Sequence, residues 1–479
     1  MADGLYYRGF CFEFNQNYFV FDINSYEICK INKIQYDNFM ILQNKGNGTI
    51  DKSVLNSFYV LQENNLFFGK DIYLDYHMDY NTAYLSIAPI YDCNLRCKYC
   101  SAQSGLNYTR YTNEKNKFDN NTLQKTIDFF LEKLFPGMES YRIDIVSGGE
   151  ALLQFDVVKN IIEYIEEKNK NGYRIKIWLA TNGTILNNKI NEFLSGHGVS
   201  IGISIDGEKK NHNYCRVMKN GVGSYDTVVK NLKKLQSDTK LSSRYKDIWG
   251  MTVVHAKNKD IKSSFDKLVS LNINNIQMEF VRLNKKNPFS LRREDYYDLI
   301  EQYRKFTDEI LYRIQNRQNY EILSILNDND YFGKIIKRII LNEIVVRRCN
   351  AGSNKVTICP NGDVFPCDYV VGDEKYKCGN IYKTQISLPD CGFSPYVFQR
   401  NKCKKCEVRY LCGGDCYFDS IICKGNVVDV NDDFCYCFKE LCKMSIYLVF
   451  KLQNEYKDFY EGLYNRLYIK SMIAKKEKI

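Results

Sequence analysis

The apolar positions of the chain change their spacing several times, and each change marks a different kind of structure. Over residues 5–23 aromatic and polar side chains alternate on both sides of Asn15-Gln16-Asn17, the pattern of two strands and a turn. Helical spacing follows near 32–43 and 51–64, divided by Lys45-Gly46-Asn47-Gly48. From Ala83 onward, short apolar runs at 84–88, 141–146, 173–180, 199–205, 249–255 and 275–281 read as strands. Between them 122–135, 154–170, 186–194, 224–236 and 260–271 read as helices. In the first of these, Leu123, Ile127, Phe130, Leu131 and Leu134 share a face, and Pro136-Gly137 stops the helix. Successive βα units predict an α/β fold with a parallel sheet, either doubly wound or curled into a partial barrel. Residues 291–345 and 443–479 are helical in pattern, and the latter ends in the charged Lys475-Lys476-Glu477-Lys478. The expected organisation is a small α+β unit over 1–82, the βα series over 83–290 and a helical bridge over 291–348. A cysteine-rich region over 349–442 and a helical tail over 443–479 follow.

Composition narrows the chemistry. With 44% hydrophobic and 26% charged residues among 479, the chain has the make-up of an ordinary soluble protein. No apolar run approaches the roughly 18 residues of a spanning helix, and Met1-Ala2-Asp3-Gly4 opens no signal pattern, so a cytoplasmic location is expected, without a membrane partner. The net charge of +10 is spread among both signs, which argues for a solvated surface and against a nucleic-acid partner. There are 19 cysteines and only 4 histidines, most of the cysteines lying between Cys349 and Cys442. In a reducing compartment that density points to metal ligation, and thiolates without imidazoles favour iron–sulfur over mixed Cys/His zinc.

Cys93-x3-Cys97-x2-Cys100 directly follows the first strand of the βα series, where loops at strand C-termini build active sites. Three thiolates on one loop suit three corners of a [4Fe–4S] cube, leaving one iron open. The loops after later strands carry Ser147-Gly148-Gly149-Glu150, Thr181-Asn182-Gly183 and Ser204-Ile205-Asp206-Gly207, with Arg216 beyond. Paired glycines permit close backbone approach, Glu150 suits an ammonium, and an arginine suits a carboxylate.

On these residues the segment 84–281 resembles the radical S-adenosylmethionine (SAM) enzymes, with their partial (β/α)6 barrel. The resemblance implies that Cys93, Cys97 and Cys100 hold a cluster whose open iron SAM chelates. It further implies that Tyr99 sits beside the adenine and that Gly148, Gly149 and Glu150 hold the methionine amine. Asn182 belongs to the same cofactor site, and Ser204 and Arg216 match ribose and carboxylate contacts. The C-terminal spacing Cys349-x12-Gly362-x4-Cys367, Cys403-x2-Cys406-x5-Cys412-x3-Cys416 and Cys435 resembles the SPASM extension. By that resemblance Cys403, Cys406, Cys412 and Cys435 hold one auxiliary [4Fe–4S] cluster, and Cys349, Cys367 and Cys416 contribute to another, giving three clusters in all. A zinc ribbon would need two C-x2-C pairs, and one is present.

Some relatives carry a further cysteine where this chain has Lys355. Residues 356–367 read as a hairpin about Asn361-Gly362, which pairs Val356 with Cys367 and Cys359 with Val364. That register turns Cys359 and Cys367 to opposite faces, so Cys359 is not expected as a ligand, and Cys378 is the remaining alternative. Asp368 matches the aspartate that acts as a base in sulfatase-maturating relatives. The alternative for it is a turn carboxylate.

The N-terminal unit is similar to the winged-helix leader-binding domains of peptide-modifying members, although no specific motif marks it. The function expected is that of a radical SAM peptide maturase that abstracts hydrogen from a ribosomally made precursor peptide and closes a crosslink, a thioether being favoured. Flavodoxin or ferredoxin is the expected electron donor. The alternatives are an anaerobic sulfatase-maturating, formylglycine-forming enzyme and a non-catalytic metal-binding scaffold.

Overall fold

The computed structural model describes residues 6–45, 61, 66–69, 81–103, 117–146, 148–238, 240, 243, 245, 247–316, 320–383, 386–388, 393 and 395–476. The N-terminal unit contains β1 (Tyr6–Tyr7), β2 (Gly9–Phe14), β3 (Asn17–Asp22), β4 (Ile28–Ile31), helix α1 (Lys33–Lys45) and β5 (Phe68–Gly69). Strands β2 and β3 form the expected hairpin, and Asn15 and Gln16 take positive φ to turn it. The helix expected over 51–64 lies almost entirely outside the described residues. The β2–β3–β4 sheet is antiparallel and is covered on both faces. Phe10, Phe12, Phe14, Phe19 and Phe21 face the main core, where Phe19 meets Tyr447 and Phe450. Cys11 and Val20 alternate to the other side and pack with Phe39, Leu42 and Phe67. Tyr26 fastens the unit further, donating its hydroxyl to the Glu343 carbonyl at 2.8 Å.

The βα series supplies β6 (Thr82–Ile87), β7 (Ser140–Ile145), β8 (Ile175–Thr181), β9 (Ser200–Ser204), β10 (Ile248–Val254) and β11 (Asn275–Phe280). All are parallel and pair in sequence order. A doubly wound sheet reverses its order at a switch point, and this one does not. The result is an α/β fold with a mostly parallel sheet, of the kind a partial barrel uses. The expected helices lie close to where the apolar spacing put them, except that 122–135 is an α-helix over Asn120–Asp128 continued by a π-helical turn over Phe129–Leu134, and a short helix over Lys209–Cys215 was not expected.

The far side of β6 is occupied by β12 (Lys355–Ile358), which runs parallel to it, followed by antiparallel β13 (Asp363–Phe365) and β14 (Gly379–Asn380). The cysteine-rich region therefore joins the sheet of the barrel. Its hairpin departs from the expected register by one residue: Thr357 pairs with Phe365 and Ile358 with Val364. The pairings Val356–Cys367 and Cys359–Val364 do not form. The turn holds three residues, Pro360-Asn361-Gly362, with Gly362 at φ +84° and the Cys359 N–H donating to the Asp363 carbonyl at 2.9 Å. In the true register Cys359 and Cys367 are in phase, so alternation does not separate them. What separates them is the end of β13 at Phe365. Beyond Pro366, Cys367 joins Ala351, Val370 and Tyr417, while Cys359 packs with Ala88, Tyr91 and Phe365. Cys378, the other alternative, is disulfide-bonded.

At Gly362 an added Cβ would also stand 2.6 Å from the Tyr382 ring. Gly362→Ala is therefore expected to destabilise the protein by about 1–3 kcal/mol. Denaturant midpoints of the two proteins check this.

Candidate active site

The loop after β6 is held in place by its neighbours' backbones. The Arg96 and Lys98 N–H groups donate to the carbonyls of Val217 and Cys215, which lays Arg216 alongside Cys97. On the other flank the Glu150 N–H donates to the Asp92 carbonyl at 2.8 Å. A Cβ on Gly149 would lie 2.0 Å from that same carbonyl oxygen, so only glycine fits there. Gly148, at φ +107°, abuts the Tyr91 ring. The Gly-Gly pair does allow a close approach, and what approaches is the cysteine loop itself. Ser147 lies outside the described residues.

Glu150 does not present a free carboxylate. It is buried and accepts from the N–H groups of Leu152 and Asn182 and from the Thr181 hydroxyl, at 2.7–3.2 Å. Its role in the structure is to join the turns after β7 and β8. Burial raises its pKa, and these three donors oppose the rise. Asn182 reaches the metal-ligand candidates, its amide lying 3.7 Å from Cys93 Sγ and donating to Asn94 at 2.8 Å.

Cys93, Cys97 and Cys100 lie within electrostatic range of one another. So do Cys349, Cys367 and Cys416, and likewise Cys403, Cys406, Cys412 and Cys435. The members of each set that the resemblance implies are thus near one another, and Cys442 lies within the same range of Cys406 and Cys412. Several loops aim backbone N–H groups at sulfur: Leu95 at Cys93, Tyr369 at Cys367, Val408 at Cys406 and Asp419 at Cys416. Such donors favour thiolate over thiol and tune iron–sulfur centres, so these sets fit a cluster's chemistry. Burial works against them, pushing Cys97 up to about 12 and Cys406 up to about 11. Among the described residues no group of three Cys, His, Asp or Glu side chains is arranged to hold a single metal ion.

Two cavities adjoin the first loop. One, of about 190 Å³, is lined by Cys97, Tyr99, Cys100, Arg216, Arg282 and Tyr369, among others. Tyr99 is buried there with the Arg216 guanidinium 5.3 Å from its ring centre. Spacing alone assigned no role to Asp206. It is fully buried, accepts from the Tyr99 hydroxyl, from Arg216 Nε at 3.0 Å and from the Val253 N–H at 3.2 Å. Burial alone would raise its pKa, but Arg216 and His212 hold it below the usual carboxylate range. Its signal was present in Ser204-Ile205-Asp206-Gly207, yet its partners come from three separate segments. Ser204 ends β9, half-buried beside Met251, and does not border this cavity.

The second cavity, of about 120 Å³, is lined by Ser86, Tyr91, Gly148, Thr357, Asp368 and Tyr369, among others. Asp368 accepts from the Thr357 hydroxyl at 2.5 Å. Lys355 lies 3.8 Å from Asp144. Burial works against its ammonium, but Asp368, Asp144, Cys367 and Cys349 raise its pKa above the usual lysine range.

Residues 87–244 match the Radical SAM superfamily model, and this part of the chain is a radical SAM domain. The chain is 25% identical over 348 residues to the cysteine-type anaerobic sulfatase-maturating enzyme of Clostridium novyi (strain NT), a match covering 68% of this chain and 85% of that protein. It is 23% identical over 368 residues to the radical SAM cyclopropyl synthase TigE of Paramaledivibacter caminithermalis, covering 74% and 72%. The solved structure of native anSMEcpe with bound AdoMet superposes with a TM-score of 0.61 at 21% identity, covering 78% of this chain and 99% of that one. These homologues are enzymes, which leaves the non-catalytic scaffold without support. No helix among the described residues is long and apolar enough to cross a membrane.

Two outcomes test the site. Gly149→Ala is expected to lower stability by about 2–4 kcal/mol, because backbone on both sides must move, and to abolish SAM binding. Unfolding curves and equilibrium dialysis with SAM measure both. The second concerns His212, whose Nδ1 accepts from the Asp206 N–H while Nε2 meets Ser224 at 2.9 Å. Burial lowers its pKa to about 4 from 6.5, so the folded protein binds this proton less readily than the unfolded chain. The associated stability is present above pH 6.5 and lost as pH falls towards 4, up to about 3 kcal/mol. His212→Gln should flatten the pH dependence of the urea midpoint across that window.

Proposed function

We propose that this chain is a radical SAM maturase of a ribosomally made precursor peptide. In this reading Cys93, Cys97 and Cys100 hold the SAM-binding [4Fe–4S] cluster, with Cys349, Cys367 and Cys416 and then Cys403, Cys406, Cys412 and Cys435 on two auxiliary ones. Tyr99, Arg216 and Asn182 line or support the SAM site, and flavodoxin or ferredoxin delivers the electron. When bound, SAM and its cluster supply hydrogen-atom abstraction. The chain's own part is positional. Asp206 orients Tyr99 and Arg216 towards the cofactor cavity, leaving the rest of the guanidinium for a carboxylate. Asp368, steadied by Thr357, borders the same cavity as Gly148, where its carboxylate takes the proton that a substrate releases on oxidation. A thioether crosslink is the product this reading favours.

The observation that carries the peptide reading is the N-terminal sheet's unequal edges. The edge formed by β2 is closed at Cys11, whose N–H and carbonyl both bond the Gln43 side chain at 2.7 and 3.3 Å. The opposite edge, β4, pairs with no further strand among the described residues. An edge of this kind accepts an added strand, as leader-binding domains do. Beside it Lys33, paired with Asp37 at 2.9 Å, lies over the rings of Tyr18 and Tyr36, an aromatic border. This chain also spans 99% of anSMEcpe with 78% of its own length, so about a fifth of it lies beyond that fold.

The second reading, formylglycine formation in sulfatases, is favoured by Asp368 and by the likeness to sulfatase-maturating enzymes. The two differ in their use of β4. Because the Asp22 N–H bonds the Glu27 carbonyl, ladder alternation turns the N–H of Lys30 away from β3. Lys30→Pro is expected to weaken precursor-peptide binding at least about tenfold and to leave peptide-free SAM cleavage unchanged. Unaltered peptide affinity, measured by calorimetry, would favour the sulfatase reading.

A further inference from the structure

Two partly buried arginines and the buried Lys334 surround Tyr331, and one of the arginines, Arg282, also lines the first cavity. The Arg348 guanidinium lies 4.6 Å from the Tyr331 ring centre, Lys334 Nζ lies 4.0 Å from it, and Arg282 Nη2 donates to its hydroxyl at 2.9 Å. Arg282 also donates through Nη1 to the Tyr369 hydroxyl at 3.2 Å and meets Glu279 at 3.3 Å. Two donors remain without a hydrogen-bond partner although buried: Arg282 Nε and Arg348 Nη1. Burial and the neighbouring Arg348 and Arg338 lower the Lys334 pKa well below the usual lysine range, so the fixed charge is that of the guanidiniums, and a buried guanidinium N–H short of acceptors is costly. Some anion must therefore be opposed to them.

The carboxylates in range leave one guanidinium unopposed. Glu279 meets Arg282 at 3.3 Å and acts also on Lys334, as do Asp328 and Asp330, whereas among the described residues no ion pair reaches Arg348. Sequence position indicates what remains. Arg348 immediately precedes Cys349, Tyr369 lies two residues after Cys367, and Phe434, 5.8 Å from the Arg348 guanidinium, precedes Cys435. Arg282 acts electrostatically on Cys416, and Arg348 on both Cys412 and Cys416. The cations thus stand between the two C-terminal cysteine sets. Arg282 and Tyr369 also line the cavity that contains Cys97 and Tyr99, so the same guanidinium borders the SAM side.

We infer that Arg282 and Arg348 are the built-in counter-charge of the two auxiliary cysteine sets, and that Arg282 is the positioning residue that raises the reduction potential of the group on Cys349, Cys367 and Cys416. This rests on the reading of those cysteines as cluster ligands. The physical basis is direct. A thiolate-bound cluster gains negative charge on reduction, net charge and nearby donors set its potential, and a fixed cation in a poorly screened interior favours the reduced form. Arginine suits the task because it stays charged when buried.

The test uses the full-length, cluster-loaded enzyme and its Arg282→Gln, Arg282→Lys and Arg348→Gln variants. Iron and sulfide are counted, and the auxiliary clusters' reduced-state spin signals are followed through a redox titration. The Gln variants are expected to keep their iron and to be harder to reduce by about tenfold in the equilibrium, ~59 mV for one electron, with Arg282→Gln acting on the first auxiliary cluster. Arg282→Lys, which keeps the charge, is expected to stay within about threefold of the parent. Iron loss in Arg282→Gln that Arg282→Lys restores would likewise support a charge requirement. A full iron count with unmoved potentials would overturn the inference, and so would equal iron loss in the Gln and Lys variants, which would make the residue a packing element. A parent enzyme holding about four irons instead of about twelve would instead overturn the cluster assignment itself.

Discussion

The parallel pairing of β12 with β6 is the contact on which the second half of the molecule depends. It aligns Lys355 with Tyr84 and Thr357 with Ser86, on the strand whose C-terminal end carries the first three cysteines. Once that pairing exists, the β12–β13 turn lies at the same end of the sheet as the cofactor loop, and antiparallel β13 returns the chain past Thr357. Asp368 then borders a cavity with Gly148, and Tyr369 borders both cavities. A separate cysteine-rich module on a linker would leave these distances unspecified. Main-chain hydrogen bonds within one continuous sheet set them.

Close backbone contact performs a similar service on the barrel side. The loop containing Cys93, Cys97 and Cys100 lies between the Gly148-Gly149 turn and the 215–217 segment, bonded to both through main-chain groups. Its conformation thus depends on two neighbouring strand ends, and the side chains that meet there follow from it. Arg216 comes beside Tyr99 because Arg96 and Lys98 bond its flanking carbonyls, and Asp206 then neutralises a guanidinium that would otherwise be buried alone. Lys355 is opposed in the same way, standing among Asp144 and Asp368.

Much of this was legible in the residues. The six parallel strands and their helices follow from apolar spacing, since a strand buried on both faces and an amphipathic helix leave different periods. The first cysteine group was legible because its three members fall within eight positions of one loop, whereas the two C-terminal sets interleave over residues 349–435 and were separated only by resemblance. β4 was not legible as a strand, for Ile28–Ile31 is four residues long and partly exposed, too short for a period to register.

The sequence by itself determined which loops hold the cysteines and glycines and at which strand ends they lie, because those depend on local spacing and on the order of strands. Tertiary structure decided what each one faces. The hairpin at Asn361-Gly362 was placed one residue out of register, because two- and three-residue turns share the same Asn-Gly signal and only the completed ladder distinguishes them. The Glu150 carboxylate acquired three donors, from Leu152, Thr181 and Asn182, that no pattern in the chain shows. Asp206 and Arg282 acquired their partners from segments up to 107 and 87 residues away, distances over which no pattern in a chain records contact. Spacing encodes what a few bonds of backbone can reach, whereas the opposition of buried charges is settled only when the sheet has closed around them.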